Sequence, residues 1–325
     1  MKKLSKNVEM TGERERAYDR WRASISLDYV TIPFLEYSRK SGRGVNDWPL
    51  FNIHASIHPA QTSANTAPSE ADLIAAFKKH RETLIDFNLL AKQAPFPSFL
   101  GLMNRGREYF LTQQFPRRDK QTQEPRLPHL YTAQQFVEEI LKHPWQPDNL
   151  ASAPNSPERP FYSYSQWHRQ AMPRSALVMD IDYVEVRDEK PAAIIEATQS
   201  NSDDLALGLF SFLSRGFAQA SVLLLVGEDL GVESYVLTYL ENLSSVELLK
   251  LERSLIPRID SVDRERQNLA KAARERGANN SSAQGEAVGT LYKTQGAALM
   301  ASLTKNRIKM SIDDYRQWLF DLKVR

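Results

Sequence analysis

Cysteine is absent from all 325 residues, which excludes disulfides, zinc-thiolate sites, iron-sulfur clusters and thiol nucleophiles together. A reducing, cytoplasmic setting is the simplest expectation. Long apolar runs are missing too. The most apolar stretch, residues 220–227, is strand-sized, far short of the roughly 18–20 residues a membrane helix requires. The opening MKKLSKNVEMTGERERAYDRWR is basic with no apolar core behind it, unlike a secretory signal, so a soluble protein with no membrane partner is expected. Charge of one sign is lacking as well: 42 Lys and Arg face 40 Asp and Glu, so any polyanion binding must come from local patches. Neither Gly-x-Gly-x-x-Gly nor a phosphate loop nor Gly-x-Ser-x-Gly occurs, which argues against nucleotide binding by those routes and against a hydrolase elbow. The histidines at 54, 58, 80, 129, 143 and 168 form no metal-ligand spacing; His54 and His58 lie four apart, but Pro59 interrupts any helix there.

What is present divides the chain in two. Proline recurs through the first half, breaking it into short pieces, and NLASAPNSPERP at 149–160 has linker composition. Residues 1–155 are therefore expected to form a mostly α-helical, irregular N-terminal domain. Two helices stand out there: one from Glu70 to about Lys92 capped by Ser69, another capped by Thr132 and running through Phe136, Val137, Ile140 and Leu141. Between them Arg105, Arg107, Arg117 and Arg118 outnumber nearby acids, with Tyr109, Phe110 and Phe115 interleaved. Cations neutralise phosphates and aromatic rings stack on bases, so this mixture is a candidate nucleic-acid surface as well as an ordinary solvated loop.

From 156 to 325 the texture is α/β. ALVMDIDYVEVRDEKPAAIIEATQ, residues 176–199, reads as two strands joined by the polar turn Asp188, Glu189, Lys190 and Pro191. Residues 201–204 are able to cap a helix through Leu205, Leu209 and Leu213. The pattern then predicts strands at 221–226 and 234–240, helices at 245–255 and 260–276, and a flexible insertion at about 277–289. A last helix starts at Ser311 and carries Tyr315, Trp318, Leu319 and Leu322. No internal repeat is found.

Three acids stand in otherwise apolar strands. Asp180 and Asp182 share a pleat face with Val178, Val184 and Val186; Glu196 shares one with Ile194 and Thr198; Glu185, on the other pleat from Asp182, suits water. Buried carboxylates are costly unless paired or bound to a cation, so the set is either a satisfied structural one or a metal site. Asp-x-Asp also occurs in haloacid-dehalogenase-type phosphatases and metal-dependent glycosyltransferases. Those folds need a long crossover after the motif strand, and the next apolar run here begins at once.

The residues resemble the PD-(D/E)xK nuclease superfamily over about 167–240: Trp167, His168 and Arg169 precede Asp-Ile-Asp, then come Tyr-Val-Glu-Val, Pro-Ala-Ala-Ile-Ile-Glu, a helix and an apolar strand. The resemblance implies a restriction-endonuclease-like mixed sheet flanked by helices. It implies metal-dependent phosphodiester cleavage, most of all in DNA, with Mg2+ or Mn2+ held by Asp182 and Glu196, which lie 14 residues apart, and with Asp180 assisting. The superfamily's lysine falls on Thr198, which can hydrogen-bond but carries no charge. Arg215, Lys190, His168 and Arg169 are candidate replacement cations, and His168, Arg169 and Arg215 are candidate nucleic-acid contacts. Two readings stand: a nuclease, in a mobile-element or defence system by analogy, whose N-terminal part recognises substrate or a protein partner; or a catalytically silent nuclease-fold adaptor that binds nucleic acid or protein.

Overall fold

A computed structural model describes residues 17–38, 50–56, 98–103, 109–115, 129–141, 176–200, 204–215 and 217–324. They form an α/β protein in two compact units, one within Asp28–Pro191, the other made of Arg16–Leu27 and Ala192–Arg325. The expected boundary at 155/156 lies outside the described residues, as do the expected helix at 70–92 and the linker at 149–160. No single helix among the described residues is long and apolar enough to cross a membrane.

In the first unit the described residues are strand-rich, where a mostly helical domain was expected. Six strands, β1 (Tyr29–Ser38), β2 (Leu50–Ser56), β3 (Ser98–Met103), β4 (Tyr109–Phe115), β5 (His129–Thr132) and β6 (Ala176–Arg187), lie in the order β6-β1-β2-β3-β4-β5. The sheet is mixed, because β2 and β3 run parallel while the other neighbours run antiparallel. Proline had suggested irregularity, yet Pro33 is accommodated within β1, at the register shift between Ile32 and Leu35 where β1 pairs with β6. Proline is tolerated where the ladder is irregular. Thr132 caps the short helix α2 (Ala133–Gln135) as expected, with Thr132 and Gln135 in a reciprocal capping box. The chain then loosens into a π-turn, Phe136–Ile140, and Phe136 stacks on Phe110 with centroids 4.3 Å apart.

The turn after β6 has two residues rather than four. Asp188 and Glu189 both adopt positive φ, 49° and 60°, the twist of a type I′ turn, and Lys190 and Pro191 already belong to β7 (Lys190–Gln199). Polarity had marked four residues; the backbone twist needs only two.

In the second unit β7, β8 (Glu233–Tyr239), β9 (Ser245–Lys250) and β10 (Arg307–Ser311) lie in the order β10-β9-β8-β7, with β7 parallel to β8 and the rest antiparallel. Two helices over one sheet face are α3 (Leu205–Arg215) and α4 (Phe217–Leu230). The other face, carrying Tyr235 and Tyr239, meets α1 (Ala17–Ser24) and α8 (Ile312–Asp321). There Tyr18 stacks on Tyr239 at 5.2 Å, Trp318 meets Tyr235 edge-on, and the Tyr18 and Tyr315 hydroxyls are 2.8 Å apart. Buried phenols need such partners.

Three sequence expectations are corrected here. Residues 221–226 are not a strand but the middle of α4, which is apolar nearly all round because it is buried, with Val222, Leu223 and Val226 at zero exposure. A short apolar run fits either element, and length decides. Residues 245–250 are strand, not helix: Glu247 and Leu249 face one way, Val246 and Leu248 the other, and all four are buried, so the alternation was hidden. Most of the insertion expected to be flexible at about 277–289 lies in helix α6 (Asn280–Leu291). It follows α5 (Ile256–Glu275), which stops where Gly277 takes φ of 95°, and Asn279 recaps the chain by accepting from the Ser282 N–H. A π-turn, Tyr292–Gly296, leads into α7 (Ala297–Ser302). The helix expected through Leu205, Leu209, Leu213 and Phe217 is present but ends at Arg215, Phe217 opening α4; the helix at 260–276 and the strand at 234–240 are present, and Ser311 caps α8 by accepting from Asp314 N–H at 3.1 Å.

Candidate functional site

β7 and β8 are the parallel pair, and their carboxyl ends gather the second unit's polar groups. Register places Glu196 beside Val236, Leu249 and Arg307 in one row across the sheet, and Thr198 beside Thr238, Glu247 and Lys309 in the next. Side chains alternate along a strand, so both rows point to the face that α3 and α4 cover. Crevices at the carboxyl ends of parallel strands are the usual ligand sites of α/β sheets.

Helix placement supplies the remaining groups. β7 runs out at Ser200, whose N–H still donates to the Tyr239 carbonyl at 2.9 Å, and α3 begins five residues on. The Asp204 carboxylate accepts from the N–H groups of Ala206 and Leu207 at 2.9 and 3.3 Å, capping that helix as expected. α3 comes close because Gly208 has no side chain: a Cβ there would stand 2.7 Å from Thr238 Cγ2 and 2.8 Å from Ser200 Oγ. From the π-turn the Tyr292 hydroxyl donates to Asp204 at 2.6 Å, its ring resting near Phe210 at 5.5 Å.

Burial sets the electrostatics. Glu247 is 2 % exposed and pairs with Arg307. Its burial pushes the carboxyl's pKa above the ordinary value although Arg307 and Lys309 pull it down. Asp204 ends on the other side: burial works against its charge, but the Tyr292 hydroxyl and the two backbone N–H groups outweigh that, and its pKa is lowered. The hydrogen bond to Asp204, aided by burial, pushes the Tyr292 phenol up to about 12, so it stays protonated and donating. Thr238 Oγ1 is buried with no hydrogen-bond partner among the described residues.

Of the residues singled out in the sequence, Glu196 lies 7 % exposed on β7 and accepts a 2.5 Å hydrogen bond from the Gln219 amide of α4. Thr198 is half-buried on the same face. Asp182 is half-buried on β6, in the other unit, and Asp180 stands on β6 as well. Arg215 ends α3. Arg105, Arg107, Arg117, Arg118, His168 and Arg169 lie outside the described residues. Glu185 does not face water: it is fully buried, with Arg187 Nη2 3.3 Å from its Oε2. That cation also donates to the carbonyls of Val186 and Asp28, at 2.6 and 3.2 Å, so the pair is built into the β1/β6 edge.

Among the described residues no group of three or more His, Asp or Glu gathers around one point. Magnesium does not need such a cage, since one or two carboxylates plus retained waters suffice, and Glu196 supplies a hard oxygen donor of that kind. The Asp204, Glu247, Tyr292, Arg307 and Lys309 constellation was not anticipated. Its one signal was the alternation of RIKMS at 307–311, which places Arg307 and Lys309 on one pleat. No family model, no curated protein and no solved structure matches this chain.

Proposed function

We propose that this chain is a metal-dependent nuclease of the PD-(D/E)xK kind, with Glu196 a metal ligand, Asp182 the second acid, Asp180 assisting and DNA the substrate. One observation carries the reading. Strand β6 turns in two residues into strand β7 bearing Glu196, and helix α3 follows, as the resemblance implies; α4 then stands where it implies an apolar strand, ahead of β8, which runs parallel to β7. A bound magnesium or manganese ion would lower the pKa of its water and neutralise charge on the phosphate. The chain's own part is then to hold the Glu196 carboxylate in place through Gln219 and to offer the Thr198 hydroxyl to the substrate or its water. A restriction-endonuclease-like fold follows from the same reading.

A second reading, a silent nuclease-fold adaptor, has an observation of its own. The lysine position is a half-buried threonine, and the Glu196 carboxylate already receives an amide proton from Gln219. The test is cleavage of linear and circular, single- and double-stranded DNA and RNA with Mg2+ or Mn2+, comparing wild type with Glu196→Gln and Asp182→Asn. The nuclease reading expects cutting that each variant lowers at least a hundredfold. Binding without cutting by wild type supports the adaptor instead.

A further inference from the structure

From residue 287 to 312 the chain carries Lys293, Lys305, Arg307 and Lys309 but no Asp or Glu, in a protein whose overall charge is nearly balanced. Three of these cations fall within five residues, where the turn Thr304–Asn306 enters β10. β10 ends the strand order, so one of its edges is open among the described strands. Arg307 and Lys309 alternate with Ile308, which puts both cations on the face that carries Glu196 and Thr198.

The two kinds of cation have different duties. Arg307 is spent on the fold: it pairs with buried Glu247 and donates to the Met300 carbonyl at 3.1 Å. Lys305 and Lys309 are exposed and form no ion pair among the described residues. Lys309 feels the charge of Asp204 and Glu247 but pairs with neither: Glu247 is held by Arg307, and Asp204 accepts from the α3 cap and Tyr292. Asp314 is likewise committed, to the α8 cap. Lysine at a sheet edge also discourages pairing with another chain. That duty needs only one exposed cation and no particular face.

We propose that Lys305 and Lys309 form a subsite for the phosphate backbone of a nucleic-acid strand that approaches the open edge of β10, on the side of the sheet that carries Glu196. Lys309 stands three strands from Thr198, about 14 Å at roughly 4.8 Å per strand. That span covers about four nucleotides at 3.4 Å of duplex rise each. The subsite thus grips the substrate a few nucleotides from the bond to be cut. It rests on the nuclease reading for its substrate class but not for its chemistry, since phosphate contacts need no metal.

The experiment measures binding of a fluorescent DNA duplex to the full chain in EDTA, from 50 to 300 mM salt, for wild type, Lys305→Gln/Lys309→Gln and the control Lys271→Gln on α5, which is also exposed. Each lost phosphate contact removes about 0.9 from the slope of log K against log salt. The double variant should lose close to twice that, and at least tenfold in affinity at the lowest salt, with unchanged thermal unfolding and with Lys271→Gln like wild type. Equal loss in the control, an unchanged slope, or no DNA binding by wild type overturns the subsite. Cleavage is scored separately: a reduced slope in a protein that never cuts keeps the subsite and sinks the nuclease.

Discussion

Each unit buries a glutamate that is paired with an arginine, and these two are neutralised by different routes. Glu185 finds its cation two residues along its own strand, in Arg187, so the pair forms wherever the strand forms. Glu247 finds Arg307 on a neighbouring strand, after the intervening helices have been placed. The first arrangement is local and closed. The second belongs to a row that also holds Thr198, Thr238 and Lys309, and it stands beside Asp204 and Tyr292. Local pairs serve the sheet, whereas long-range convergence of polar groups at the ends of parallel strands is where chemistry is built.

Removing one partner of a buried pair leaves a charge behind, and the loss is typically about 3–5 kcal/mol. Arg187→Met is therefore the largest expected effect, read as a fall in the urea midpoint, with Glu185→Leu/Arg187→Met recovering most of it. Arg307→Met should cost less, since Arg307 is partly exposed at 21 % and its partner's carboxyl is already pushed toward protonation. Equal losses in the two units would erase the distinction drawn between them. Gly208→Ala comes next. Its Cβ would press on Thr238 and Ser200, which are backed by the sheet, and overpacking of this kind costs about 1–3 kcal/mol.

Tyr292→Phe should cost about 1 kcal/mol through the lost hydrogen bond and should raise the pKa of Asp204. Asp204 contributes stability that is present above its unfolded value of 3.8 and is lost as pH falls through its lowered folded value. In Tyr292→Phe that acid-side loss should shrink. Glu247 works in the opposite sense. Its folded value lies above 4.5, so the native state keeps a proton that the unfolded chain has released, and stability is lost as pH rises from 4.5 through the folded value. Glu247→Gln should remove that slope, the smallest of these effects, in a series of urea midpoints across mildly acidic pH.

The hairpin acids, the caps at Thr132, Asp204 and Ser311 and the long charged helix were legible because each is written locally, in alternation or in a capping residue. Residues 221–226 and 245–250 were not, because a segment buried on every side loses the polar half of its period. Asn279 was legible in principle as a cap, but small polar neighbours made the stretch look unstructured. The site divided in the same way. Glu196 and Thr198 stand out within one strand, while Glu247, Tyr292, Arg307 and Lys309 share a face only because β9 and β10 pair beside β8.

The central claim is that Glu196 holds a catalytic metal, and it is tested most directly by comparing wild type with Glu196→Gln in magnesium-dependent cleavage of labelled DNA. Glutamine keeps the shape and a hydrogen-bonding partner for Gln219 while removing the charge a metal needs. The account predicts cutting by wild type that requires the metal and falls at least a hundredfold in Glu196→Gln, with DNA binding in EDTA unchanged. Metal-dependent cutting by the variant at the wild-type rate would contradict it.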